Sequence, residues 1–257
     1  MRTALQIQRS VIFAFFIREL RTRFGNSRLG YYWALIEPLS HVLVLTILFG
    51  TLGRHTLPGI DFPLFIITGI FPFFFFRSVA DRSADAVSAN RALLAYRYVQ
   101  PLDDIWARVL LELMIFVGGF LSFLLMAAYF GYHVAPFRPL EVLCAYGALF
   151  LFSIGFGVII GVVSALYPES KKIFSFINRP LYFISGVFAP LSAVPAEYRG
   201  WLLWNPILHA LELARESYFQ PFRPAGASWN YLLLTSGLSL LTGLAVYRIS
   251  RTKLLES

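Results

Sequence analysis

Apolar residues in this chain come in runs long enough to cross a lipid bilayer, and the segments between them hold most of its basic residues. A crossing of the hydrocarbon core takes about 20 mostly apolar residues. Because no water reaches that core, backbone groups must be satisfied within the segment, and for apolar runs of this length that means helices. The expected fold is therefore an all-α integral membrane protein. Six spans can be marked off, at about 34–52, 62–76, 105–130, 140–166, 173–191 and 229–247. The second is short, and Pro63 and Pro72 point to a broken helix whose freed carbonyls neighbours would satisfy.

Composition agrees. Hydrophobic residues make up 58% of the chain and charged residues 14%, against about 25% charged in soluble domains. The net charge of +8 comes from 19 Arg and three Lys, which in a membrane protein marks cytoplasmic segments rather than nucleic-acid binding. With the N-terminus inside, sixteen basic residues fall in cytoplasmic segments and five outside. That asymmetry predicts both termini in the cytoplasm. No small-residue cleavage site follows the run 11–17, which leads into Arg18-Glu19-Leu20-Arg21, so the N-terminus is expected to be retained. The single cysteine, Cys144, lies in an apolar run and reads as a packing residue.

Residues 5–24 are too polar to span. Phe13, Phe16, Ile17, Leu20 and Phe24 gather on one helical face with Arg18 and Arg21 opposite, which fits a helix lying on the cytoplasmic membrane surface or, equally, a basic anchor that only fixes topology. The outside segment 192–228 holds a helical pattern over 206–219 too short to cross, suggesting re-entrant or interfacial helices.

Enzyme motifs fail where their chemistry is tested. Gly25-Asn26-Ser27-Arg28-Leu29-Gly30 imitates a phosphate loop, but Tyr31 and Tyr32 stand where Lys and Ser or Thr are needed. Gly157 and Gly161 lie inside a span and read as close helix packing. The histidines 41, 55, 133 and 209 lack metal-ligand spacing, and no metal or cofactor is expected in this chain. Charged groups in or beside spans need a partner or water. Arg108 and Glu112, four apart, read as a local pair. Glu37 sits near the start of its span, and Arg179 inside an apolar run suggests a wet path or a buried partner. His209, Glu212 and Glu216 share a face of the outside helix, with Arg215 placed to offset Glu212; a salt-bridged surface or subunit contact is expected. The interfacial aromatics, among them Tyr198, Trp201 and Trp204, fit membrane belts.

The segment Arg18-Glu19-Leu20-Arg21-Thr22-Arg23-Phe24-Gly25, continuing through Arg28-Leu29-Gly30-Tyr31 and Trp33-Ala34-Leu35-Ile36-Glu37-Pro38, resembles the N-terminal signature of polysaccharide-exporting ABC permeases. Arg179-Pro180-Leu181-Tyr182-Phe183-Ile184-Ser185-Gly186 resembles that family's fifth-span region. Trp204-Asn205-Pro206, His209, Glu212, Arg215 and Glu216 resemble its following outside helix. Within the family, the likeness is nearest to the KpsM-type permeases of group 2 capsule export.

The resemblance implies a homodimer of six-span subunits in a bacterial inner membrane, joined to two cytoplasmic ATPase subunits that carry the ATP and Mg. It also implies a lipid-linked capsular polysaccharide as substrate, and a periplasmic co-polymerase and outer-membrane channel as further partners. Residues 1–30 become an interface helix and 31–257 the transmembrane domain. Coupling to the ATPase is expected at Arg18, Arg21, Arg23, Arg97, Tyr98 and Pro101, and the translocation path or buried polar group at Glu37, Arg179 and Tyr182. Trp204, His209, Glu212, Arg215 and Glu216 mark the periplasmic helix. A secondary transporter and a membrane-bound glycosyl or acyl transferase are the competing readings. The first lacks an evident internal repeat, the second a compact set of His and acidic residues.

Overall fold

The computed structural model describes residues 4–25, 30–51, 59–96 and 98–256. Among them there is no strand. The helices are α1 (Ala4–Phe24), α2 (Gly30–Thr51), α3 (Phe62–Ala89), α4 (Pro101–Tyr129), α5 (Pro139–Leu166), α6 (Ser170–Ile184), α7 (Ala196–Arg199), α8 (Pro206–Tyr218) and α9 (Trp229–Glu256), with 3₁₀ turns at Arg91–Ala95 and Leu191–Ala193. Four of them, α3, α4, α5 and α9, are long and apolar enough to cross a membrane. The apolar stretch of α2 is the shorter Ile36–Leu48. Of the fifth expected span, 173–191, the helix covers only the first part: α6 has 15 residues, about 22 Å long. It stops because Gly186 takes a φ of +75° and turns the chain, a conformation open to glycine at little cost.

The core sits around α3, which packs against α2, α4, α5, α6 and α8. The broken helix expected at 62–76 is a continuous one of 28 residues. Pro63 falls in its first turn, where no N–H is needed. Pro72 lies inside, and its missing N–H frees the carbonyl of Thr68. The Tyr146 hydroxyl of α5 donates to that carbonyl at 3.0 Å, so the break anticipated at Pro72 is repaired by a neighbour.

Aromatic rings fill the space between α3, α4 and α5. Phe75 and Phe150 lie 4.3 Å apart, Phe116 and Phe150 4.9 Å, and Phe71 and Phe123 4.9 Å. On α5, small residues admit helices on two sides. A Cβ on Gly155 would sit 2.3 Å from the Ser239 backbone of α9, and one on Gly161 3.0 Å from the Ser83 carbonyl of α3. The packing expected of Gly157 and Gly161 is therefore present against α3, and Gly155 adds the contact with α9.

The charged segment 77–108 is mostly helix: α3 runs to Ala89 and α4 starts at Pro101. Its charges are accommodated because apolar faces at Val79, Val87, Ile105 and Val109 are buried while the charged groups pair with one another. The real connection is residues 90–100. Pro101 opens α4 as a first-turn proline, with Asp103 Oδ2 accepting from the Gln100 N–H at 2.9 Å.

Helix α1 packs chiefly on α4. Its buried side chains are Phe15 and Phe24, whereas Phe13 is exposed. The apolar face drawn from the sequence is thus rotated, because α4 takes the Phe15 side.

Candidate functional site

Polar side chains from α2, α3 and α6 converge on an open cleft of about 510 Å³, lined by His41, Arg77, Asp81, Asn178, Arg179 and Tyr182, with Phe73 and Phe183. On α3, Arg77 and Asp81 are one turn apart and pair at 3.5 Å. Asn178 of α6 donates to Asp81 at 3.1 Å, and Glu37 of α2 approaches Arg77 at 3.9 Å. Three helices are thereby joined through one carboxylate and one guanidinium. Arg179 is exposed and faces this cleft. The Tyr182 ring sits in an aromatic cage, 4.9 Å from Phe73 and 4.6 Å from Phe188. Its buried hydroxyl has no hydrogen-bond partner among the described residues. Of the residues singled out from sequence, Arg179 and Tyr182 line the cleft together, while Glu37 lies beside it and is linked through Arg77; His41, Arg77, Asp81 and Asn178 were missed as members. The i,i+4 spacing of Arg77 and Asp81 was the one signal available for them.

A second polar group ties α1 to the ends of α3 and α4. Arg18 donates to the Asn90 side-chain oxygen, and Asn90 donates to Asp104 at 2.6 Å. Asp104 pairs with Arg108 at 3.3 Å, and Arg108 with Glu19 of α1 at 3.4 Å. One turn further on, Glu112 takes Arg23 of α1 and, at 3.8 Å, Arg82 of α3. The local Arg108–Glu112 pair is corrected: each residue binds outside partners, because α1 lies against α4 and brings opposite charges within reach of both. Arg21 remains exposed, Tyr98 is exposed within the connection, and Pro101 is buried. Arg97 lies outside the described residues.

The third group belongs to α8, nearly all of whose residues are buried. Asn205 caps it by accepting from the Ile207 N–H at 3.0 Å. His209 is held at both nitrogens: Nδ1 accepts from the Ser228 N–H at 2.9 Å, so Nε2 carries the proton and donates to the Leu203 carbonyl at 2.8 Å. Burial holds its imidazole below the usual range. Arg215 donates to the carbonyls of Gly186, Val187 and Phe65, and its guanidinium lies 3.6 Å from the Phe65 ring centroid. Glu212 accepts from the Leu191 N–H at 3.2 Å, and burial pushes its carboxyl up. The salt-bridged surface expected here is corrected. His209, Glu212 and Arg215 are buried and bind backbone groups, because residues 185–191 and 203–228 fold over them. Glu216 is half-buried and Trp204 exposed, the latter accepting from the Tyr231 hydroxyl through its carbonyl at 2.6 Å.

Four membrane-length helices, a polar cleft and a basic helix latched to one polar end of the bundle are the features of a multi-pass helical membrane protein. The chain belongs to the ABC-2 type transporter family, whose model matches residues 10–219. Among curated proteins it is 40% identical over 256 residues to the polysialic acid transport protein KpsM of Escherichia coli, covering 100% of this chain and 99% of that protein. It is 29% identical over 243 residues to the capsule polysaccharide export inner-membrane protein CtrC of Neisseria meningitidis, with 95% and 92% covered. It is 28% identical over 247 residues to the capsule polysaccharide export inner-membrane protein BexB of Haemophilus influenzae, with 96% and 93% covered. The likeness read from the blocks at 18–38 and 179–216 thus extends along the whole chain.

Proposed function

We propose that this chain is the permease subunit of an exporter that moves lipid-linked capsular polysaccharide across a bacterial inner membrane, powered by ATP hydrolysis on a separate cytoplasmic subunit. The observation that carries this reading is the end-to-end similarity, at 40% identity, to a polysialic acid transport protein. In this reading α2, and α6 together with residues 185–191 that follow it, supply the two further spans. Both helices expose apolar side chains, Leu43, Val44 and Ile47 on one and Ile173, Phe176 and Phe183 on the other, which suits a homodimer that closes the cleft of Arg179 and Tyr182, with Glu37 beside it, into a path. The excess of basic residues in cytoplasmic segments, sixteen against five, puts both termini inside.

Coupling runs through α1 and the connection 90–100. Arg18 and Arg23 hold α1 to the bundle, Arg21 is exposed for acidic groups on the ATPase, and exposed Tyr98, with Arg97 as the basic residue beside it in sequence, contributes to docking. ATP binding draws the two ATPases together, and α1 with α3 and α4 transmits that movement to the cleft. A periplasmic co-polymerase and an outer-membrane channel continue the route, with the α8 region and its exposed Trp204 on their side.

The test is capsule export in a strain lacking its own permease, with this chain and its ATPase supplied together. Surface capsule should appear, and should vanish when the phosphate-loop lysine of the ATPase is substituted. Export that survives that substitution would mean a secondary transporter. Arg21→Ala and Arg97→Ala, singly and together, should leave membrane insertion intact while lowering ATPase co-purification or export. Wild-type values for all three would remove both residues from coupling.

A further inference from the structure

A groove of about 960 Å³ lies between α1 and α4, well away from the cleft, lined by Leu5, Ile12, Phe13, Phe16, Leu110 and Met114, with Gln8, Arg9 and Ser10 along one edge. Its apolar residues are largely uncovered within the chain: Leu5 is 79% exposed, Phe13 62% and Met114 61%. Leu110 and Met114 are one turn apart on a helix long and apolar enough to cross the membrane, so this face opens toward lipid.

The charges of α1 divide in an informative way. Arg18 is held by a hydrogen bond to the Asn90 side-chain oxygen and Arg23 is paired with Glu112. Arg9, two turns earlier, is exposed and has no hydrogen-bond or ion-pair partner among the described residues. An apolar trough facing lipid with one uncompensated cation on its polar edge is complementary to a molecule with hydrocarbon chains and an anionic head.

We propose that this groove binds an anionic phospholipid of the same leaflet, its acyl chain between Phe13, Leu110 and Met114 and its phosphate on Arg9. The bound lipid covers the apolar flank of α1 that α4 leaves bare and so helps seat the helix against the bundle. This goes beyond the export reading and does not depend on it, since the lipid is a resident ligand and the experiment measures no transport.

The test is native mass spectrometry of the full-length chain in detergent, titrated separately with phosphatidylglycerol and phosphatidylethanolamine. Wild type should retain phosphatidylglycerol preferentially. Arg9→Glu should weaken phosphatidylglycerol binding by about fivefold or more, the scale of one basic residue at an anionic surface, and leave phosphatidylethanolamine unchanged. Met114→Trp, which fills the groove from a lipid-facing position, should weaken both. Equal retention by wild type and both variants, or no preference between the two lipids, would overturn the proposal. A disulfide between two copies through Phe13→Cys, in a Cys144→Ser background, would overturn it in favour of a second copy in the groove.

Discussion

Arg215 is fully buried, yet its guanidinium binds three backbone carbonyls rather than a carboxylate. Those carbonyls come from the turn after α6 and from α3, so one side chain fastens three elements at once. Gly69 makes room for it: a Cβ there would lie 2.3 Å from Nη2 and 3.1 Å from the Val187 carbonyl. Gly69→Ala should therefore destabilise the chain by roughly 1–3 kcal/mol, as overpacking does, measured as a lowered Tm in detergent. His209 adds a pH dependence. Its folded pKa lies below the ordinary 6.5, so below that pH the unfolded chain binds the extra proton. The stabilisation is complete above 6.5 and is lost as pH falls through it. Between about pH 7 and pH 5, wild type should lose more stability than His209→Gln, with a difference in slope of up to about 1.4 kcal/mol per pH unit.

At the scale of elements, α3 illustrates how a neighbour decides what a proline does. Pro72 leaves the Thr68 carbonyl without its helical partner, and Tyr146 supplies a hydroxyl from α5. Tyr146→Phe should cost about 1–3 kcal/mol, the penalty for a buried unsatisfied acceptor. In a Pro72→Ala background the helix can bond that carbonyl itself, so the same Tyr146→Phe change should cost much less. A double-mutant cycle read by denaturation checks this, and equal costs in both backgrounds would deny the repair. The ionic groups on α1 carry a similar lesson. Asp104 and Arg108 could be paired from their spacing, but Glu19 and Arg23 reach Arg108 and Glu112 only because α1 lies along α4.

For the whole molecule, the basic-residue count and the fold make a joint statement about sidedness. Residues 90–100 should be on the same side as both termini, and 192–228 on the other. Single cysteines in a Cys144→Ser background, at Ser88 and at Ser228, should react with an impermeant thiol reagent from opposite faces of sealed vesicles. Labelling of both from one face would refute the arrangement.

By itself the sequence determined that the chain is a helical membrane protein, its family and two of the glycine contacts, because hydrophobic run length and short motifs are local and survive without knowledge of neighbours. Only the tertiary structure decided that α3 continues through Pro72, that α6 stops at Ile184, that Arg108 and Glu112 part company, and that His209, Glu212 and Arg215 are buried. The cleft was half legible: Arg179 and Tyr182, with Glu37 beside them, stood out as polar groups in apolar surroundings, while Asp81 and Asn178 belong to different helices 97 positions apart. Which partner a buried charge or a freed carbonyl finds depends on what is brought within about 3 Å of it, and that distance is set by helix packing, which spacing along the chain does not encode.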